Sequence, residues 1–505
     1  MTTVQASPPP SRVSQALAAN RLGVWTVVAI VGGAIAPLTV VAGGATTGWA
    51  VAGVVAIPLA YLVIAALLIL FSTGYTAMSR GSISAGPLYT FPAKGLGRPA
   101  GVGSGAIALF AYSTMGAGLL GGFGAVAKPL LADQLGWGTP WWAWALAAWV
   151  IIAVLGVLHV DVVGKVLAVL LGAEVLVTVI LAVVMFAHPA GGHVSYTAIS
   201  PGQILVAGFG AACAIAIAGF VGFEATGNLS EESKDPRRTV PLATYLALGI
   251  VGLVYGGTAL AMVVAAGTDN IVAKSTSDGT NTMFNLAAPY VPTWLITTGH
   301  FLLLSSLFAS ALAFQSVASR YLFTLGREGV LPRRLAQTGA RSHAPISASI
   351  TQSVIVLVIV SLYAINGWDP LTKLFFQLTV EGGFGVLVLM VITSAATATF
   401  FRHVVNRSYG IGIARGVVAP IVSVLLLGVV LVETLQQFQT LLGVADDDPL
   451  RWIFPGSFAV LFVLGLIWAA WLRLAKPDVY RAIGTSRPPE PPVVGLPPAP
   501  AAARR

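Results

Sequence analysis

The chain has 505 residues, of which 56% are hydrophobic and only 9% charged, far below the roughly one-quarter charged usage of soluble domains. That composition excludes a soluble enzyme and describes a polytopic membrane protein. The net charge of +9 does not point to nucleic acid, because Lys and Arg are scattered through short loops between apolar stretches instead of gathered in one patch.

Residues 1–19 are small and polar, with three prolines at 8–10, and residues 484–505 are rich in Pro and Ala; both read as disordered tails. Between them lie twelve stretches of membrane length, approximately 22–43, 49–72, 101–130, 141–158, 163–187, 202–227, 241–266, 292–325, 345–365, 371–400, 413–434 and 452–474. The first exceeds the ~7–15 residues of a signal-peptide core and is followed at once by another span, so it reads as retained. An even number of spans puts both ends on one side. With that side cytoplasmic, 23 of the 27 Lys and Arg face inward, leaving Lys128, Lys274, Lys373 and Arg451 outside, as the positive-inside rule requires. The polar segment 267–292 then lies outside.

The first span is interrupted near its middle by Gly32, Gly33 and Pro37. Such glycines either break a helix or let a neighbouring helix pack closely. The fifth span carries Glu174 about 11 residues in, roughly 17 Å at 1.5 Å per residue, which is near mid-membrane. The sixth holds Gly219, Gly222 and Glu224 after a nearly continuous apolar run from 201 to 217. A charged side chain at mid-bilayer costs about 2.5–3.5 kcal/mol on insertion scales, and backbone freed from helical pairing survives there only beside a protein-lined cavity. A broken helix bearing a carboxylate therefore points to a transporter's ligand site. Cys213, the only cysteine, reads as packing in this span and excludes a disulfide or a cysteine metal cage.

Beyond the sixth span, Glu231, Glu232 and Asp235 alternate with Lys234, Arg237 and Arg238. The loop reads either as a solvated turn or as an inner-gate latch exchanging partners with Arg80 or Arg327. His159, Asp161 and Lys165 mark another inner turn, with Asp161 and Lys165 spaced for an i,i+4 pair. Ser305, Ser306 and Ser310 offer either cation-ligand hydroxyls or bonds to carbonyls one turn back. Glu381 is the third carboxylate inside a span.

The stretch GFVGFEATGNLSEESKDPRRTVPLA, beginning at Gly219, resembles the sixth membrane helix and following loop of the amino acid/polyamine/organocation transporter superfamily, typically F-x-G-F-E followed by E-E/A-x-x-D/N-P-x-R-x-[IV]-P. Residues 85–97, AGPLYTFPAKGLG, and 308–332, FASALAFQSVASRYLFTLGREGVLP, resemble its second loop and its eighth helix. The resemblance implies an all-α integral membrane fold of 12 transmembrane helices. Five plus five of them form a LeuT-like inverted repeat with helices 1 and 6 broken, and two more follow. It divides the chain into a cytoplasmic tail (1–19), a first repeat (20–200), a second repeat (201–402), helices 11 and 12 (403–483) and a second tail (484–505).

It also implies a secondary active amino acid permease of the cell membrane, working by alternating access with proton-coupled import or exchange and without a cofactor. Its partners would be the amino acid, a proton or other coupling ion, and the lipid bilayer. The family's first-helix motif G-S-x-I-G-x-G is only partly kept, as residues 32–38 read GGAIAPL. The resemblance assigns the substrate carboxylate to amides of Gly32, Gly33 and Ala34, and the ammonium to carbonyls near Ile30, Ala218 and Val221 beside Gly222. Phe220 would cover the site. Glu224, then Glu174, are the coupling candidates, and Gly86 and Tyr89 would shape the loop beside the gate. A polyamine or other organic cation is the alternative substrate and calls for extra carboxylates at the cavity, for which Glu381 is the candidate. An integral-membrane enzyme would need a constellation such as H-E-x-x-H or G-x-S-x-G, and the sequence contains neither.

Overall fold

The computed structural model describes residues 17–489 except 159, 341, 404–410 and 446, and leaves the side chains of 132–135, 160–163 and 403 undescribed. Residues 1–16 and 490–505 of the expected tails, and the Asp161 partner of the expected Asp161–Lys165 pair, lie outside the described residues. Among those described, the protein is all helix apart from one isolated bridge between Leu22 and Ser233. Eleven helices are long and apolar enough to cross a membrane, and a shorter apolar helix, Trp141–Leu155, occupies the place of the fourth span.

Most spans start and stop within a few residues of where hydropathy puts them. Two differ. The first runs Val24–Ala52, because the helix resumes after its break, and this pushes the second to Ile57–Gly81. The sixth begins at Phe209, since residues 201–205 form an exposed 3-10 turn.

Span 1 is helical over Val24–Ile35 and then turns at Ala36, which sits in the left-handed region at φ 49° before Pro37 restarts the helix. Proline explains this position. It disfavours helical backbone in the residue before it and has no N–H to pair with the carbonyl four residues back. Gly32 and Gly33 lie inside the first half, and Cβ atoms there would stand 2.3 Å and 3.2 Å from Leu171 and Leu167 of span 5. These two glycines therefore admit span 5, the packing alternative, and the break falls one turn later.

Span 6 is helical over Phe209–Phe220 and again over Ala225–Asn228, with Gly222 between at φ 117°, a value side-chain-bearing residues rarely adopt. The two breaks touch: a Cβ on Gly222 would lie 2.8 Å from Ala34, and one on Gly219 2.7 Å from Val40. Because four spans lie between them in the chain, the two broken helices run in opposite directions.

Loops 82–98, 229–238 and 328–345 gather on one face, which their Lys and Arg make basic. Residues 484–489, inside the expected tail, dock here. The buried Glu328 carboxylate accepts the Gly484 and Ser486 N–H groups (2.8 and 2.6 Å) and the Tyr89 hydroxyl. Burial pushes the Glu328 carboxyl up to about 7. Arg98 adds a bond to the Arg481 carbonyl and stacks over Tyr480, so residues 480 and 481 are tied to the start of span 3.

Candidate functional site

Where the breaks meet, spans 1, 3, 6, 8 and 10 enclose a cavity of about 90 Å³. Its wall is made chiefly by Ile35, Val40, Met115, Ile215, Val221, Phe314, Phe375 and Phe376, with Ala34, Ala218 and Gly219 at the breaks. Four hydroxyl residues join them, Thr39, Thr47, Ser310 and Thr379, and no charged side chain does. Phe314, Phe375 and Phe376 carry no pattern that separates them in sequence from the other aromatic residues of apolar spans.

The assigned residues divide between cavity and scaffold. Ala34, Ala218 and Val221 line the cavity. Ile30 points at span 5, against the position of Gly164. The amides of Gly32, Gly33 and Ala34 lie within the helix Val24–Ile35, where they are spent on carbonyls four residues back. The carboxylate role assigned to them therefore does not fit, and the unpaired end is Ala34 and Ile35, whose carbonyls accept the Ser310 and Tyr255 hydroxyls at 2.7 Å each. Phe220 is fully buried in an aromatic cluster with Tyr61 and Tyr255, ring centroids 6.3 and 5.1 Å away, and does not line the cavity.

Both half-helix N-termini hold a carboxylate of the protein itself. At the span 1 break, Glu174 accepts the Leu38 N–H and the Ser306 hydroxyl at 2.7 Å. Ser306 in turn accepts the Thr39 N–H at 3.3 Å. At the span 6 break, Glu224 is fully buried. It accepts the Gly222 N–H at 2.9 Å and the Tyr112 hydroxyl at 2.7 Å, with its own N–H turned onto the carboxylate. Tyr75 fixes the Glu224 carbonyl at 2.6 Å, and Tyr112 is itself stacked between Phe314 and Tyr321. A carboxylate on backbone amides at a helix start is stabilised by those bonds and by the dipole. Of the three serines, Ser305 alone bonds one turn back, to Leu302. Glu381 stands behind the cavity wall, 3.5 Å from Ser457.

Below the cavity, the loop after span 6 closes the basic face. Glu231 takes both terminal nitrogens of Arg327 (2.8 and 2.6 Å) and the Ala85 N–H (3.0 Å). Arg320 places Nε and Nη2 on one oxygen of Glu232 at 2.9 and 2.6 Å. The Arg21 and Leu22 amides reach the Glu232 carbonyl, and Lys234 N–H returns to Leu22. Asn228 and Ser230 bond the backbone at Ala85 and Ser84. Thus Glu231 and Glu232 meet arginines of span 8 and not their own loop. Arg320 is the gate residue that sequence reasoning passed over, because it looks like one more positive-inside charge. Asp235, Arg237, Arg238 and Arg80 are exposed, and among the described residues no ion pair involves them.

Two helices broken against each other beside a cavity are the arrangement expected of a ligand site in a membrane transporter. The family model for amino acid permeases matches residues 22–481, and the chain belongs to that family. It is 28% identical over 180 residues to an uncharacterized transporter of Mycobacterium tuberculosis, covering 36% of this chain and 38% of that protein. Two Arabidopsis thaliana proteins are 26% identical to it: cationic amino acid transporter 3, mitochondrial, over 140 residues (28% of this chain, 22% of that one), and cationic amino acid transporter 2, vacuolar, over 179 residues (33% and 27%). The matched segment thus spans 38% or less of the length of these relatives.

Proposed function

We propose that the protein is a permease for a small neutral amino acid, working by alternating access in the cell membrane with both termini cytoplasmic, and coupled to protons through Glu224 with Glu174 as second candidate. One observation carries the substrate class: the cavity wall is apolar apart from four hydroxyl residues and contains no charged side chain. A cationic side chain desolvated there would lack a counter-ion, a cost of several kcal/mol. This argues against the cationic substrates named for the plant relatives and against the polyamine alternative. Coupling through Glu224 is supported by its position between Tyr112 of the span 3 scaffold and the span 6 break, so that gain of a proton alters what joins the two parts. The division into repeats 20–200 and 201–402 is supported by the opposed, mutually contacting breaks, with 403–483 as the added pair.

Uptake into proteoliposomes, with labelled alanine, leucine, arginine and putrescine under an imposed pH or sodium gradient, tests this reading. Alanine or leucine should accumulate under the pH gradient. Preference for arginine or putrescine, or accumulation under sodium alone, would refute the respective half.

Orientation is tested by thiol labelling in a Cys213→Ala background. Lys234→Cys and Ser277→Cys, both exposed, should react only from inside and only from outside, respectively; the reverse pattern would invert the topology.

A further inference from the structure

A second and larger recess lies among spans 3, 10, 11 and 12. It holds about 440 Å³, within the ~300–1,000 Å³ of small-molecule sites. It opens among exposed apolar side chains of spans 11 and 12, including Val432, Val460 and Val463, and so faces the bilayer. Its wall contains no charged, hydroxyl or amide side chain. Water, which needs about two to four polar partners, is not held there, and neither is a zwitterion. Gly456 keeps the recess open, since a Cβ added to it would meet nothing within 4 Å, although glycine weakens a helix by about 1 kcal/mol relative to alanine. Pro455 precedes it inside the same helix, Leu450–Ala475. At the inner side Phe384 packs against Phe438 and Phe458, with ring centroids 5.3 and 5.9 Å away.

We propose that this recess binds one acyl chain of a phospholipid from the leaflet opposite the basic face, with the lipid's phosphate at Arg451. The far end of span 12 leads into residues 477–489 on the basic face, so Trp452, near its start, stands at the opposite interface, where indole rings collect. Phe462 lies ten residues deeper along the recess, about 15 Å at 1.5 Å per residue. That depth is half of the ~30 Å hydrocarbon core, the length of one leaflet. Phe384, Val388 and Ile392, each a turn apart, run down the facing wall on span 10. Charge agrees with depth. The Arg451 guanidinium lies 4.8 Å from the centroid of the Trp452 ring, which places a cation at the interfacial end, and arginine binds phosphate through paired N–H groups. Lipid tails are as apolar as the wall, so packing drives occupancy, and an unfilled recess forfeits its dispersion contacts. The seated chain bears on Phe384, which shares a void of about 10 Å³ with Val380 and Ala218 of the substrate-cavity wall.

The test titrates the purified full-length protein in detergent with a phosphatidylcholine that carries a diazirine in its acyl chain, and maps the cross-links after photolysis. Wild type should show saturable labelling of peptides containing residues 384–392 and 456–462, above the background on exposed span 5 residues such as Val169 and Leu176. Gly456→Phe fills the recess and should bring this labelling down to the span 5 background, which itself should not change. Ala459→Phe, three residues further on in the same wall, fills the same space and serves in its place if Gly456→Phe does not fold. Arg451→Gln should raise the half-saturating lipid concentration about tenfold, the worth of one hydrogen bond to a charged group, while the labelled residues stay the same. Labelling that does not saturate, or that survives in the folded filling variants, overturns the inference. Unchanged half-saturation in Arg451→Gln removes the phosphate from the site and overturns the lipid's orientation. Absence of groove labelling in a wild-type protein that elutes as a dimer would give the recess to a second copy, and the inference would fail.

Discussion

Glu224→Gln should abolish pH-gradient-driven accumulation while leaving downhill exchange of the same substrate measurable. Glutamine preserves the shape and one acceptor oxygen for Gly222 N–H, and the Tyr112 hydroxyl can turn to accept from the new amide. The substitution thus removes the titratable proton at small structural cost. Glu224→Ala is expected to act differently, because it strips the partners from a buried N–H and a buried O–H (2.9 and 2.7 Å from the carboxylate) at about 1–3 kcal/mol each. That variant should lose transport of both kinds and melt lower. Accumulation and its pH profile, measured side by side in Glu224→Gln and Glu174→Gln vesicles, decide the matter. Gradient-driven accumulation that survives in the first and vanishes in the second would transfer coupling to the span 5 carboxylate. Survival in both would leave Glu174 and Glu224 as ties that cap the broken ends.

The other large effect belongs to the gate. Arg320→Ala withdraws a guanidinium from Glu232, a pair with side chains 5% and 2% exposed, and breaking one side of so buried a pair typically costs about 3–5 kcal/mol. Because the pair joins the span 6–7 loop to span 8, the loss falls on the closed state of the basic face and should raise the open population by roughly two orders of magnitude or more. Arg327→Ala should do less, since Glu231 is 16% exposed and keeps the Ala85 N–H. A thiol placed at Ala225, which lies between the span 6 break and the gate loop and is 2% exposed, should label faster from the cytoplasmic side in Arg320→Ala than in Arg327→Ala. The double variant with Glu232→Ala should recover part of the difference, because it removes the stranded charge. Labelling rates unchanged from wild type would mean that the pair only braces the loop and does not set the gate's equilibrium.

The sequence by itself determined the number and order of the spans, because a membrane helix is written as a long apolar run that needs no partner to be recognised. It also located the span 6 break, where Gly222 beside a buried carboxylate leaves few conformational alternatives. In span 1 it contained two competing signals, Gly32–Gly33 and Pro37. A glycine is compatible with both a break and a tight contact, whereas a proline forbids the helical bond outright. Local chemistry at Pro37 thus points to the observed turn, and only the proximity of Leu171 and Leu167 assigns the glycines to packing.

What lay beyond the sequence were the pairings between distant spans. Glu174 reaches Leu38 and Ser306, Glu224 reaches Tyr112, Glu232 reaches Arg320, and Glu328 receives residues 484 and 486. Phe220 turns to Tyr61 and Tyr255 and away from the cavity for the same reason. Hydropathy fixes that a segment crosses the bilayer, but all faces of such a helix are apolar, so its rotation and partners are settled by packing against neighbours. The carboxylates' partners follow from that packing.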